Sequence, residues 1–417
     1  MFQKLLTRLE REKTHFDDLG ETVKHLLYSY ALYLISYPIM GIFINTYFWR
    51  QTNDVSLIAA YNLGFFVALP LGFYLNGLLL RRFHILKLYW AGNVLQGVAA
   101  FLAIFIPSLS FCQVLVYGLV YGIGGGLYWG NKNYITLKIT KGKNRLYYNN
   151  LESSLDLVIS IIMPILIGWA LVFGEQIALY TVESAYKILM LISIILLWVS
   201  GYMLRSANIY SEPISHLTLR KPSKYWNLNR LVHVLYWTLS GVNYFVPTIL
   251  VLVFVGTEAA LGTIESITAL LVAVLLYIIG RKSSAKHLMT TIIATGIVFL
   301  AGALMFNFTY GFVGAIIYSV AYSLTGAVAW NSIYSNSMEV IDRESEYGSN
   351  HNQYALVLDN EIFFNLGRII GMALFFGLVA LTNQEISLRI APLIAGSLQL
   401  IMLIPLGILV RYMRSNK

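Results

Sequence analysis

One cysteine, Cys112, stands in 417 residues, so the chain forms no internal disulfide and builds no multi-cysteine metal site. Charge is scarce as well. Asp, Glu, Lys and Arg together make up 12% of the sequence, against about 25% in soluble domains, while 58% is hydrophobic. That balance excludes a soluble enzyme. The seven histidines (His15, His25, His84, His216, His233, His287 and His351) are scattered and form no His-Glu-x-x-His helix, so no metal and no other cofactor is expected. Gly122 to Gly126 follow no strand and precede no Gly-Lys-Ser/Thr, which removes a nucleotide loop and with it energy from bound ATP. The first 24 residues interleave Phe2, Leu5, Leu6 and Leu9 with charge. They are too polar for a secretory signal and read as an amphipathic cytoplasmic helix on the membrane surface or as a disordered tail.

What the chain has in excess is apolar length. Twelve runs read as helices: 25–49, 55–80, 84–106, 111–137, 148–173, 184–204, 229–254, 257–280, 285–306, 308–335, 353–381 and 386–412. At about 1.5 Å per residue each crosses a hydrocarbon layer of about 30 Å. An even number of spans puts both termini on one side. On that side fall 24 of the 29 lysines and arginines; only Arg50, Lys187 and Arg389 lie opposite, with Lys132 and Arg368 inside spans. Basic loops stay in the cytoplasm, so both termini are expected there, in a multi-pass protein of the cell membrane or bacterial inner membrane. The same asymmetry accounts for the net charge of +9 without nucleic acid as a partner.

The longest polar stretch in the interior, 205–228, sits at the midpoint and divides the chain. The expected organisation is an N-terminal segment 1–24, a six-helix bundle 25–204, a linker 205–228, a second bundle 229–412 and a tail 413–417. The halves are related. A shift of 201 positions aligns Tyr117 with Tyr318, Tyr121 with Tyr322, Gly125 with Gly326 and Trp129 with Trp330. Gly118, Gly122, Gly126 and Gly130 recur every fourth residue, and their counterparts are Ser319, Ser323, Ala327 and Asn331. Such a small-residue face lets two helices approach closely. A further shift of eight, placed in a loop at 336–352, aligns Glu152 with Glu361, Asp156 with Asn365 and Gly168 with Gly377. The fold class expected is therefore an all-α membrane protein of twelve transmembrane helices in two parallel six-helix repeats.

Arg81-Arg82 in the second-to-third loop is matched by Arg281-Lys282 in the eighth-to-ninth. With six plus six helices, basic loops, a long central linker and both ends inside, the sequence resembles the major facilitator superfamily over nearly its whole length. Gly77-Leu78-Leu79-Leu80-Arg81-Arg82 keeps the glycine and arginines of that family's loop signature and lacks its aspartate. The run Tyr-Trp-Gly-Asn-Lys-Asn-Tyr at 128–134 is similar to that of a bacterial subgroup of unassigned substrate. The resemblance implies alternating access around a central cavity lined by the first, fourth, seventh and tenth helices.

Charged groups within spans cost roughly 2.5 to 3.5 kcal/mol each near the helix centre, so each needs a partner, a wet cavity or a titratable role. Lys132 is within reach of Glu152 and Asp156, as a coupling pair that breaks during transport or as a fixed hairpin brace. Glu361 has lost the lysine, because Ile333 takes the place of Lys132 in the second repeat; it reads as a proton-coupling acid or as a group bonded to Asn331 or Asn365. Glu265 lies in the outer half of the eighth span, which the resemblance implies packs against the fifth, and is a gating contact or a headgroup-facing acid. Arg368 is the one deep arginine, suited to an anionic substrate or to an internal pair with Asp156 or another carboxylate. Tyr33, Tyr37, Tyr121, Trp129, Trp237, Tyr244, Tyr322 and Trp330, with Asn131, Asn243 and Asn331, are the candidate cavity residues, a set that suits a moderately polar organic solute. Pro38 and Pro247 occupy similar points in the first and seventh spans and are expected to bend them. The function expected is secondary transport of a small organic solute, coupled to protons, by a monomer in contact only with solute and membrane lipid. The alternatives are a lipid or amphiphile translocator, favoured by a lateral apolar opening, and a non-transporting membrane receptor. An enzyme is not expected, since paired catalytic groups are missing.

Overall fold

The computed structural model describes all residues except 1–15, 18, 106–108, 141, 206, 208, 210–215, 220, 283–287, 348–352 and 416–417. The described residues hold helices and no strand. Twelve helices are long and apolar enough to cross a membrane, and they are numbered here as spans 1 to 12: Glu21–Thr52, Val55–Leu79, Ile85–Phe105, Phe111–Ile139, Tyr147–Gln176, Val182–Met203, Lys224–Val255, Glu258–Ile279, Leu288–Thr309, Phe312–Glu346, Tyr354–Leu381 and Gln384–Met413. The chain is a multi-pass membrane protein whose exterior shows the aliphatic and aromatic side chains that lipid tolerates, Leu166, Ile195, Tyr277 and Ile404 among them.

Three expected boundaries move. Span 10 continues to Glu346, so the first part of the loop expected at 336–352 is helical. Residues 224–228, expected as linker, form the first turns of span 7, capped by Ser223, whose hydroxyl accepts from the Trp226 amide. The expected N-terminal segment lies largely outside the described residues; its last residues, Glu21 to Lys24, begin span 1, and Leu19 is buried against the bundle.

The glycine stripe of span 4 does what its spacing predicts. A Cβ at Gly118, Gly122 or Gly126 would meet backbone atoms of Tyr61, Phe65, Leu69 or Gly72, so spans 2 and 4 touch main chain to main chain. The opposite edge of the same helix lies against span 3, where Gly92 faces Gly124. The second repeat packs differently. Nothing lies within 4 Å of a Cβ placed on Gly326, and Ser323, Ala327 and Asn331 of span 10 line open space instead of a neighbouring helix.

Spans 1 and 7 break at corresponding places. In span 1 Pro38 ends a regular helix and a π-helical turn, Ile39–Phe43, follows before Ile44–Thr52. Span 7 stops at Asn243 and restarts at Val246, with Pro247 in its first turn, where the missing N–H costs nothing. Tyr37 and Tyr244 flank these breaks.

Candidate functional site

Between the halves, at the level of the two breaks, lies a cavity of about 240 Å³. Tyr33 and Tyr37 of span 1, Tyr121 and Trp129 of span 4, Trp237 and Tyr244 of span 7 and Trp330 of span 10 face it, as expected for the four inner helices. Spans 2, 3 and 11 contribute residues that spacing alone did not single out: Phe65, Leu69 and Phe73; Gln96; and Phe364 beside Glu361 and Arg368. Asn133 also lines it. Tyr33 is held by stacking on Tyr128 at 3.8 Å between ring centroids and by donating its hydroxyl to Gln96 Oε1 at 3.2 Å.

Arg368 is the charged centre of this pocket. Among the described residues it forms no direct ion pair, so the internal bridge with Asp156 or another carboxylate is not made here. Its guanidinium lies over the Trp237 ring at 4.0 Å and the Phe66 ring at 5.0 Å, and Nη1 donates to Asn365 Oδ1 at 2.8 Å. Cation–π contact offsets part of the loss of water, by about 2 kcal/mol when desolvated. Two buried donors beside the cavity, Arg368 Nε and Trp237 Nε1, have no hydrogen-bond partner. Glu361 faces the same space as Arg368 and, among the described residues, forms no direct ion pair; Asn365 Nδ2 donates to the Glu361 main-chain oxygen at 2.8 Å.

Three expected cavity residues are placed elsewhere. Asn131 is fully buried, donating to Asn76 Oδ1 at 2.6 Å and to the Leu127 carbonyl, so it ties span 4 to span 2. Asn243 accepts from the Tyr318 hydroxyl and donates to the Leu239 carbonyl, joining spans 7 and 10. The Tyr322 ring packs on Phe299 at 6.0 Å and does not line the pocket. For the two asparagines, an amide that cannot stay dry and unbonded takes an internal partner.

A second, larger cavity of about 720 Å³ shares Tyr37 and Trp330 with the first and runs toward the face that carries the termini. Asp156 and Glu265 both line it, as does Asn331. On the other face the halves are fastened together. Arg50 donates from Nε to Glu258 Oε1 at 2.7 Å and from Nη2 to Oε2 at 3.2 Å, and the Tyr186 hydroxyl adds a bond of 3.2 Å to Oε1. Close by, Gly168 of span 5 meets Gly262 of span 8, and Ser266 Oγ accepts from the Ile165 amide at 3.0 Å. Sequence reasoning missed the Arg50–Glu258 bridge, whose partners are 208 residues apart. On the terminal face spans 2 and 11 also touch: Tyr354 donates to the Phe73 carbonyl at 2.9 Å and accepts from Asn76 Nδ2 at 3.2 Å.

Lys132 and Glu152 come together as an ion pair, with Lys132 under the Tyr30 ring at 4.4 Å. Neither lines the two cavities. Lys132→Ala strands the Glu152 carboxylate at a cost of about 3–5 kcal/mol, the penalty for breaking a buried pair. Melting of the purified protein is expected to show that loss, and Lys132→Ala with Glu152→Ala to recover part of it; additive losses reject the pairing. Asp359, another charge within a span, is satisfied by Arg230 at 2.6 and 2.7 Å and by Trp226 Nε1 at 2.7 Å. Among the described residues no group of three His, Cys, Asp or Glu is placed to hold a metal ion.

Comparison with known proteins agrees with this architecture. The chain is 22% identical over 387 residues to a protein of Bacillus subtilis (strain 168) named "Uncharacterized protein YqgE", covering 91% of this chain and 87% of that one. A protein of Geobacillus stearothermophilus, "Uncharacterized protein in sodM 3'region", is 28% identical over 139 residues, 33% of this chain and 65% of its own. Among solved structures the fold is similar to that of the human organic anion transporter MFSD10 (TETRAN), with a TM-score of 0.59 at 15% identity over 92% of this chain and 98% of that one. It is also similar to that of a peptide transporter, POT, in complex with alafosfalin, with a TM-score of 0.68 at 12% identity, covering 94% and 95%. Residues 26–372 match the family model of the Major Facilitator Superfamily, and the chain belongs to that superfamily of membrane transporters.

Proposed function

We propose that this protein is a secondary active transporter that moves a small organic solute by alternating access, coupled to protons, with its termini in the cytoplasm. The observation that carries the reading is the central pocket, where Arg368 and Glu361 face one space with neither ion-paired and two buried donors left without partners. Unsatisfied polar groups buried at a membrane midplane cost energy that a bound solute recovers. Their surroundings of tyrosine and tryptophan suit a solute that stacks and hydrogen-bonds.

One-sided access supports the alternating mechanism. The face opposite the termini is bridged by Arg50 and Glu258, while the larger cavity leads to the terminal face. The breaks in spans 1 and 7 supply points at which each half bends without losing further hydrogen bonds. Glu361 is the coupling acid in this scheme: protonated, it sits in an apolar wall at little cost, and ionised, it faces Arg368 across the pocket.

The test begins with a thermal-shift screen for a solute that stabilises the purified protein, followed by uptake into proteoliposomes with and without a pH gradient. Glu361→Gln, isosteric with the protonated acid, is expected to abolish gradient-driven accumulation while leaving solute binding within a few-fold. Undiminished accumulation by this variant removes Glu361 from the mechanism, and uptake indifferent to the gradient in the unaltered protein removes proton coupling.

A further inference from the structure

The cavity of about 720 Å³ differs from the central pocket in charge, shape and origin. Its walls come from one face of span 5 (Ser153, Asp156, Leu157, Ser160, Pro164) and one face of span 8 (Glu265 to Tyr277), closed behind by spans 1 and 10. The origin lies in the unequal repeats. In the first half the stripe on span 4 is filled by span 2; in the second, the corresponding face of span 10 is left open because span 8 leans onto span 5 instead.

Glu265 occupies the roof of this cleft, directly below the place where Gly262 meets Pro164 and Gly168. Among the described residues it has no hydrogen-bond or ion-pair partner, and no lysine or arginine lines the cleft. Asp156 stands lower on the opposite wall, nine residues from Ile165, about 13 Å along the helix. Its nearest cation, Lys132, is already committed to Glu152. The rest of the lining is mainly apolar, with Leu157, Ala269, Val272, Ala273 and Leu276 beside the hydroxyls of Ser160 and Thr268, and Tyr37 and Trp330 line it where it meets the central pocket. Toward the terminal face the walls run down to Ser153 on span 5 and Tyr277 on span 8, and the lining residues Leu157 and Tyr277 are 38% and 64% exposed on the side that lipid covers.

An unpaired carboxylate at the end of an apolar cleft, with aromatic faces beside it and no competing base, selects for positive charge on a greasy body. Ring faces attract cations and carboxylates neutralise them, while the apolar walls take up the hydrocarbon that would otherwise remain in the leaflet. An anion meets the opposite balance. We propose that this cleft is a binding site for lipophilic organic cations, entered from the membrane leaflet on the terminal side, with Glu265 holding the charge. The proposal deepens the transport reading by naming a substrate class; it rests on that reading for movement of the ligand and not for its binding.

Tetraphenylphosphonium and tetraphenylborate, of like size and opposite charge, are the probes. Equilibrium dialysis against the full-length protein in lipid nanodiscs, corrected with empty nanodiscs, is expected to show saturable binding of the cation and at least tenfold weaker binding of the anion. Glu265→Gln keeps the shape and removes the charge, and is expected to weaken cation binding at least tenfold. Ala273→Trp fills the cleft and is expected to abolish it, in a protein whose melting temperature confirms folding. Equal binding of both ions, or cation binding untouched by both variants, overturns the proposal. Saturable, Glu265-dependent binding without gradient-driven movement supports the site and removes the transport reading; driven uptake of another solute with no cation binding does the reverse.

Discussion

Glu258→Ala is expected to open the face opposite the termini. The Glu258 carboxylate is 1% exposed and takes two hydrogen bonds from Arg50 and one from Tyr186, made only while span 8 is in contact with spans 1 and 6 of the first half. Removing it leaves the guanidinium facing a place that no longer compensates it. A fully buried pair would lose about 3–5 kcal/mol. Arg50 is 42% exposed, so water screens part of that loss, and about 1–3 kcal/mol remains for the closed arrangement. That corresponds to a population shift of roughly 5- to 150-fold toward the open one. Thr46, buried beside the bridge, reports it: in a Cys112→Ser background, Thr46→Cys is expected to react with an impermeant maleimide faster by that factor once Glu258 is gone. The exchanged pair Arg50→Glu with Glu258→Arg is expected to restore slow labelling. Unchanged labelling in Glu258→Ala would show that the bridge does not hold the face shut.

The second large effect concerns two aligned helices and a single methyl group. A Cβ on Gly126 falls against the carbonyl oxygen of Leu69 and the backbone of Gly72, atoms that belong to a rigid helix and have no rotamer with which to yield. Gly126→Ala therefore pushes spans 2 and 4 apart, at about 1–3 kcal/mol or more, the cost of overpacking a dense interior. A reduced yield of monodisperse protein and a lower melting temperature are expected. Gly326 lies in span 10, at the position aligned with Gly125, and has open space around it. There the same change gains helix propensity, up to about 1 kcal/mol, and the melting temperature is expected to hold or rise. Equal damage at the two positions would contradict the difference in packing between the halves.

The parts of this fold that were legible in the sequence are those set by solvent and by local covalent geometry. Apolar length gave the spans to within a few residues in most cases, because lipid demands an unbroken helix across its thickness. Pro38 and Pro247 announced the breaks through a missing N–H, and glycine at every fourth place announced a close-approach face on span 4, which the structure fills with span 2. The Lys132–Glu152 pair was legible because both residues lie close to one short connection.

What was not legible depends on how a helix is rotated about its axis and on what stands opposite it. Asn131 and Trp129 are two residues apart in the same span, yet one is locked to Asn76 and the other faces the pocket. Arg368 was expected to serve an anionic substrate or an internal acid, and the pattern gave no sign of the two rings from different halves on which it rests. Tyr322 aligns with Tyr121 in the repeat, but only Tyr121 reaches the cavity, since span 10 lacks the glycine-fitted neighbour that orients span 4. The contact of span 8 with span 5 was implied by the family resemblance, but the open cleft was not read from the residues, since matched sequences suggest matched packing of spans 4 and 10.

The unequal seating of spans 4 and 10 also bears on which bundle deforms. Main chain pressed on main chain leaves few ways to slide, so amide protons along spans 2 and 4 should persist in deuterated buffer far longer than those of spans 8 and 10. Divergence of this kind between matched halves yields a stiff partner and a compliant one, and the motion of the proposed transport cycle then falls mainly to the latter.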